Sequence, residues 1–171
     1  MVASLIPASS RSGPERRLRV GLLVLLLLPA PWARADCEGP VSKVADGDTI
    51  EVICEAAVLR VRLAQIDAPE FHQTHGRRAR NALAAMIDGR RVRLEMHERD
   101  SYDRPLATVW LGGLDINREM LRRGHAWVYR GFLRDSSLLD DERHAREQRL
   151  GLWSGPDPQP PWKFRGAARG K

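Results

Sequence analysis

The sequence predicts an α+β domain in which five short antiparallel strands curl into a small barrel and three helices pack against it. Three observations carry this. Short runs alternate apolar and polar residues with a period of two, the pattern of half-buried strands. Longer stretches carry apolar residues at i, i+3, i+4 and i+7 and stop at glycine, the pattern of amphipathic helices. These elements fall within about 115 residues, enough for one hydrophobic core, and closing the sheet removes its exposed edges.

The first two strands, Val41–Ala45 and Thr49–Cys54, flank a turn at Asp46-Gly47, a dipeptide suited to hairpins. In the third, Leu59, Val61 and Leu63 point one way while Arg60, Arg62 and Ala64 point the other. The first helix shows its stripe at Ala79, Ala82, Leu83, Met86 and Ile87 and ends at Gly89. A fourth strand follows, with Val92, Leu94 and Met96 inward and Arg91, Arg93 and Glu95 outward. The fifth is Leu106–Leu111, stopped by Gly112-Gly113. Ile116, Met120 and Leu121 mark a shorter helix closed by Gly124.

The third helix runs from about Ser137 to Leu150, before Gly151. Its early Asp140, Asp141 and Glu142 and late Arg146 and Arg149 suit the helix dipole, and its charges read as a solvated face. From Ser154 to Lys171 the chain holds Pro156, Pro158, Pro160 and Pro161 ahead of Trp162. This tail is expected to be extended.

Residues 1–35 read as a secretory signal peptide. Arg11, Arg16, Arg17 and Arg19 precede an unbroken run from Val20 to Leu28, and Ala33-Arg34-Ala35 gives a small-x-small cleavage pattern. The alternative is a membrane anchor, but the run is shorter than the roughly 20 residues a spanning helix needs. The folded domain is then 36–153, exported to the periplasm or the medium, with no stable membrane association once the leader is gone.

This division changes the meaning of the charge. The whole chain of 171 residues carries 28 basic and 22 acidic residues, a net of +6, with 25 Arg and only 3 Lys. The leader holds five Arg and one Glu, so 23 basic and 21 acidic residues remain, a net of +2. The total therefore says little about partners. Export also bears on Cys37 and Cys54, the only cysteines. In an oxidising compartment a pair is normally joined, and the hairpin register places the two one diagonal step apart. Two free thiols are the alternative.

Three clusters suit chemistry on a phosphate. Asp46-Gly47-Asp48-Thr49 crowds two carboxylates into a tight turn, which calls for a compensating cation. Arg62 lies on the outward side of its strand, Asp67 ends that strand, Pro69 stiffens the exit and Glu70 follows. Asp100-Ser101-Tyr102-Asp103-Arg104 joins two strands. Each alone also reads as an ordinary turn or strand end with a local ion pair.

Together, their order resembles the staphylococcal-nuclease-like family, the thermonucleases. The resemblance rests on VADGDTIEV, VRLAQIDAPE, the Tyr-x-Arg of SYDRPLA, INREMLRRGHAWVYR and AREQRLGLW, and covers about residues 40 to 153. It implies an OB-fold-like five-stranded barrel with three helices, and calcium-dependent hydrolysis of DNA and RNA that leaves 3′-phosphate ends. By position it implies that Asp48, Asp67 and the carbonyl of Ala68 hold calcium and that Asp46, Thr49 and Asp100 support the metal site. Arg62 and Arg104 would contact phosphate, Glu70 would serve as general base and Tyr102 would lie near a terminal phosphate. Such oxygen donors suit a hard cation, and guanidinium forks suit phosphate better than a lysine does.

Two departures stand out. Ser101 replaces a lysine of better-known members, and their base-pocket aromatics are not plainly matched near Trp127-Val128-Tyr129-Arg130. Tyr129, or Phe132, is the aromatic available to stack on a base. The five histidines fit no site and read as surface or packing residues. We expect a monomer acting on nucleic acid. The alternative is a catalytically weak or inactive module on the same fold that binds nucleic acid or protein. A structural or surface-interaction role would rest on the Pro-rich tail alone.

Overall fold

The computed structural model describes Met1 and residues 36–169; the expected signal peptide at residues 1–35 lies outside the described residues apart from Met1. Eight strands and four α-helices follow in order: β1 (Cys37–Val44), β2 (Thr49–Cys54), β3 (Ala57–Leu63), β4 (Ile66–Asp67), α1 (Gly76–Ile87), β5 (Arg91–Arg99), β6 (Pro105–Leu111), β7 (Leu114–Asp115), α2 (Ile116–Arg122), β8 (Trp127–Val128), α3 (Leu138–Glu147) and α4 (Pro161–Arg169). Five of the strands close a barrel in the order β3-β2-β1-β5-β6, with β6 returning to β3. The α+β barrel class is therefore the observed one.

The closing pair differs from the expectation of a wholly antiparallel barrel. β3 and β6 run parallel, with Arg62 beside Leu106 and Leu63 beside Ala107. Period-two alternation reports which face a residue takes and is blind to strand direction. The first hairpin also differs in detail. Its loop spans Ala45 to Asp48, tied by Ala45 N–H donating to the Thr49 carbonyl at 2.9 Å. A bulge between Val41 and Lys43 shifts the register by one residue. Beyond it, Cys37 and Cys54 form the disulfide, with Cα atoms 5.9 Å apart.

The core fills the barrel and continues under α1 and α2. Val61, Leu63, Leu94, Leu83, Ile87, Ile116, Met120 and Leu121 have no solvent exposure, and each such side chain contributes about 1.5–3 kcal/mol by leaving water. Asn117 is one of the polar residues buried in this interior. Its amide oxygen accepts from Val109 N–H at 3.0 Å, and its NH2 donates to the carbonyls of Ala64 and Ala107, each at 3.0 Å. It thereby ties α2 to the seam where β3 and β6 meet.

Two tail-side expectations are corrected. The Pro-rich tail contains a helix, because Pro161 sits in the first turn, where its missing N–H leaves no bond unmade. The acidic run on α3 is only partly solvated. Glu142 is buried and accepts from Val128 N–H at 3.0 Å, which secures β8. Among the described residues, no helix is long and apolar enough to cross a membrane.

Candidate active site

The three sequence clusters meet at one end of the barrel, around an open cavity of about 260 Å³. Strand pairing brings them there. β2 and β3 align Thr49 with Arg62, which sets the β1–β2 loop beside the Arg62 side chain. The parallel β3–β6 pair carries the start of β6, and hence Arg104, to the same rim. β4 pairs with β8, Asp67 opposite Trp127, and Tyr129 N–H donates to the Gln65 carbonyl at 2.8 Å.

Glycine lets two of these segments pack closely. A Cβ on Gly47 would lie 2.7 Å from the Ala68 Cβ and 2.8 Å from that of Ala79, so only glycine lets the carboxylate loop press against both. At the start of α1, a Cβ on Gly76 would run into the Glu70 carbonyl. That close approach fixes the backbone that carries Glu70.

Asp48 is buried, and each of its oxygens is engaged. Oδ1 accepts from Arg62 Nη1 at 2.6 Å and from Thr49 Oγ1 at 3.1 Å; Oδ2 accepts from Ala68 N–H at 2.8 Å. Asp46 Oδ1 accepts from Asp48 N–H at 3.0 Å and sets the loop's curvature. Asp67 is fully buried; its Oδ1 accepts from Arg62 Nη2 at 2.7 Å. Arg62 thus forks two carboxylates that lie 19 positions apart in the chain. Burial pushes the Asp48 carboxyl up to about 7 despite the opposing pull of Arg62. For Arg62, burial opposes the charge, but Asp48 and Asp67 outweigh it and raise the guanidinium above its ordinary value.

Across the cavity, Asp100 organises its own turn. Oδ1 accepts from the backbone N–H groups of Tyr102 and Arg104, both at 2.9 Å, and Oδ2 accepts from Arg104 Nε at 2.8 Å. Burial works against ionisation of Asp100, but these bonds prevail and hold its carboxyl below the usual range. Asp100 therefore braces Arg104 and lines the same cavity as Asp48. The Arg104 guanidinium lies 5.5 Å from the Tyr102 ring centroid. Tyr129 stacks on Phe132 with centroids 5.3 Å apart, and both border the cavity with Tyr102. Trp127 is core, packed edge-on to Trp153. Of the histidines, His75 and His125 pack together, Nε2 to Nδ1 at 3.0 Å.

One residue of the site was missed from the sequence. Arg165, on α4, reaches Asp67 and Glu70. Nη2 donates to Asp67 Oδ2 at 2.8 Å, and Nη1 donates to Asp67 Oδ1 at 3.1 Å and to Glu70 Oε1 at 2.7 Å. Hydrogen bonding to Asp67 is the main cause that raises its guanidinium above the ordinary range. The available signal was Pro161 opening a short run with Trp162, Phe164 and Arg165.

The donor chemistry suits a hard cation. Asp48, Asp67 and the neighbouring Ala68 carbonyl offer only oxygen ligands, and a buried carboxylate pair needs positive charge beside it. Glu70 adds a third carboxylate at the cavity wall, so three carboxylates face the two guanidiniums of Arg62 and Arg165.

A closed barrel bearing converged carboxylates and two separately held guanidiniums at one rim defines a site of the phosphate-ester hydrolase type. Residues 60–155 match the family model described as Staphylococcal nuclease homologue. The chain is 42% identical to the micrococcal nuclease of Shigella flexneri over 161 residues, covering 88% of this chain and 92% of that one. It is 40% identical to Protein ParB of Escherichia coli over 166 residues (91% and 93%). It is 41% identical to an uncharacterized endonuclease of Escherichia coli O157:H7 over 144 residues (84% and 94%). The chain belongs to the staphylococcal nuclease family. Its enzyme class is accordingly that of a nuclease, a hydrolase of the endonuclease type.

Proposed function

We propose that this enzyme is a calcium-dependent endonuclease that cleaves DNA and RNA to 3′-phosphate products. We further propose that it is exported and acts as a monomer, in the periplasm or the medium, after loss of residues 1–35. The observation that carries the reading is the convergence of Asp48, Arg62, Glu70 and Arg104 on one open cavity.

Asp48, Asp67 and the Ala68 carbonyl would hold calcium. When bound, the ion supplies charge that polarises the scissile phosphate and its attacking water. The protein's own groups do the rest. Thr49 and Ala68 N–H fix the Asp48 carboxylate, and Asp46 curves its loop. Arg62 keeps the two aspartates converged and borders the space that a phosphate would enter. Arg104, braced by Asp100, offers a second guanidinium to charge developing on the phosphoryl oxygens. Glu70 would take a proton from water as the water's oxygen bonds to phosphorus; the bond from phosphorus to the 5′ oxygen breaks, and that oxygen takes a proton from solvent to leave as a hydroxyl. Tyr102 lies beside Arg104, where a terminal phosphate would be met, and Tyr129 on Phe132 offers a ring for a base.

Mass spectrometry of the products from a single-stranded oligonucleotide, cut with calcium present, tests the reading. Fragments ending in 3′-phosphate and 5′-hydroxyl are expected. Fragments with 5′-phosphate ends, or tight binding without cleavage under any divalent ion, would contradict it.

A further inference from the structure

Asp67 has no solvent exposure, and a buried carboxylate without a positive partner is strongly destabilised. Arg62 satisfies part of that need through Oδ1. The rest is met by Arg165, whose two terminal nitrogens contact both oxygens of Asp67 and also Glu70. Arg165 thus neutralises one group assigned to the cation and holds the group assigned to the water.

The Arg165 contacts are long-range. Arg165 lies 98 positions from Asp67 and 95 from Glu70. The segment that delivers it is attached at identifiable points. Gln73 Nε2 donates to the Gln159 carbonyl at 2.6 Å, and Pro161 is buried. Trp162 packs edge-on to Trp127, with centroids 6.4 Å apart, yet remains 39% exposed. These contacts seat α4 over the cavity without burying it in the core, and the Arg165 side chain itself is 33% exposed. Such an attachment can open without unfolding the barrel.

We propose that α4 is an autoinhibitory latch. In the cation-free enzyme, Arg165 holds Asp67 and Glu70; a divalent cation at Asp48 and Asp67 displaces it and frees Glu70. The two positive partners are alternatives for the same carboxylate, so each weakens the binding of the other. This rests on the assignment of calcium to Asp48 and Asp67 made above. The enzyme would then be held shut where calcium is scarce and opened where it is abundant.

The test is calorimetric titration of calcium into the full-length chain and its Arg165→Ala variant, without nucleic acid. Hydrogen exchange of residues 161–169 is measured on the wild type with and without calcium. If the latch is closed in about nine of ten molecules, the variant binds calcium about tenfold more tightly. Arg165→Lys, which keeps the charge but loses the fork, falls between the two. Exchange in residues 161–169 of the wild type rises when calcium is added. Equal or weaker calcium binding by Arg165→Ala, unchanged exchange, or no calcium binding by either protein overturns the latch. A cleavage assay on the same samples separates the two readings. Cleavage with equal affinities sinks the latch alone, whereas an affinity shift without cleavage sinks the calcium-dependent cleavage proposed above and leaves the latch.

Discussion

Arg62 holds the site together because its two terminal nitrogens reach different carboxylates, Asp48 at 2.6 Å and Asp67 at 2.7 Å. A lysine keeps the charge but cannot span both. Arg62→Lys is therefore expected to lower the turnover rate by about a hundredfold or more, with an unchanged circular dichroism spectrum. A variant that keeps wild-type turnover would show that the fork is dispensable. At this scale most of the site was legible. Asp48, Arg62, Asp67, Glu70 and Arg104 lie in short segments at strand ends and turns, where local chemistry and position in the fold coincide. Arg165 was not legible, because only the path of the tail brings it to Asp67. Glu142 was misread for a related reason: helical spacing shows a charged face, and only the packed structure shows β8 lying on it.

The seam between β3, β6 and α2 is the element on which barrel closure depends. Asn117 bonds three backbone groups there and is almost fully buried. Asn117→Ala strips a partner from each, and is expected to destabilise the fold by about 2 kcal/mol or more, read from the midpoint of urea unfolding. A change under about 0.5 kcal/mol, typical of a surface position, would contradict the role given to this residue. Alternation located the five barrel strands but could not show that this closing pair is parallel. That follows from where the chain re-enters the sheet, a long-range property.

A second element-scale prediction concerns the packing of α1 against the segment after α2. Burial, His75 and Arg123 together lower the His125 pKa from 6.5 to about 4. His75 is also lowered, first by burial and then by Arg78. The folded protein keeps these rings neutral at pH values where the unfolded chain protonates them. Stability is therefore fully present above about pH 6.5 and is lost as pH falls toward about 4. Urea midpoints measured between pH 7 and pH 5 should fall with pH in the wild type and less steeply in His125→Gln. Parallel profiles would remove His125 from the account.

For the whole molecule, net charge is a poor guide. The +6 of the full sequence suggests nucleic acid for the wrong reason, since most of the excess lies in residues 1–35. What matters is arrangement: carboxylates drawn together by Arg62 at one rim, Arg104 held at the same cavity by its own aspartate, and a tail helix whose Arg165 reaches Asp67 and Glu70. The central claim is calcium-dependent strand cleavage that needs Glu70. Its most direct test is the initial rate of cleavage of a labelled single-stranded oligonucleotide in three reactions: wild type with calcium, wild type with a chelator, and Glu70→Ala with calcium. Rapid cleavage is expected in the first, none detectable in the second, and a rate lower by about a hundredfold or more in the third. Equal rates in all three would contradict that claim.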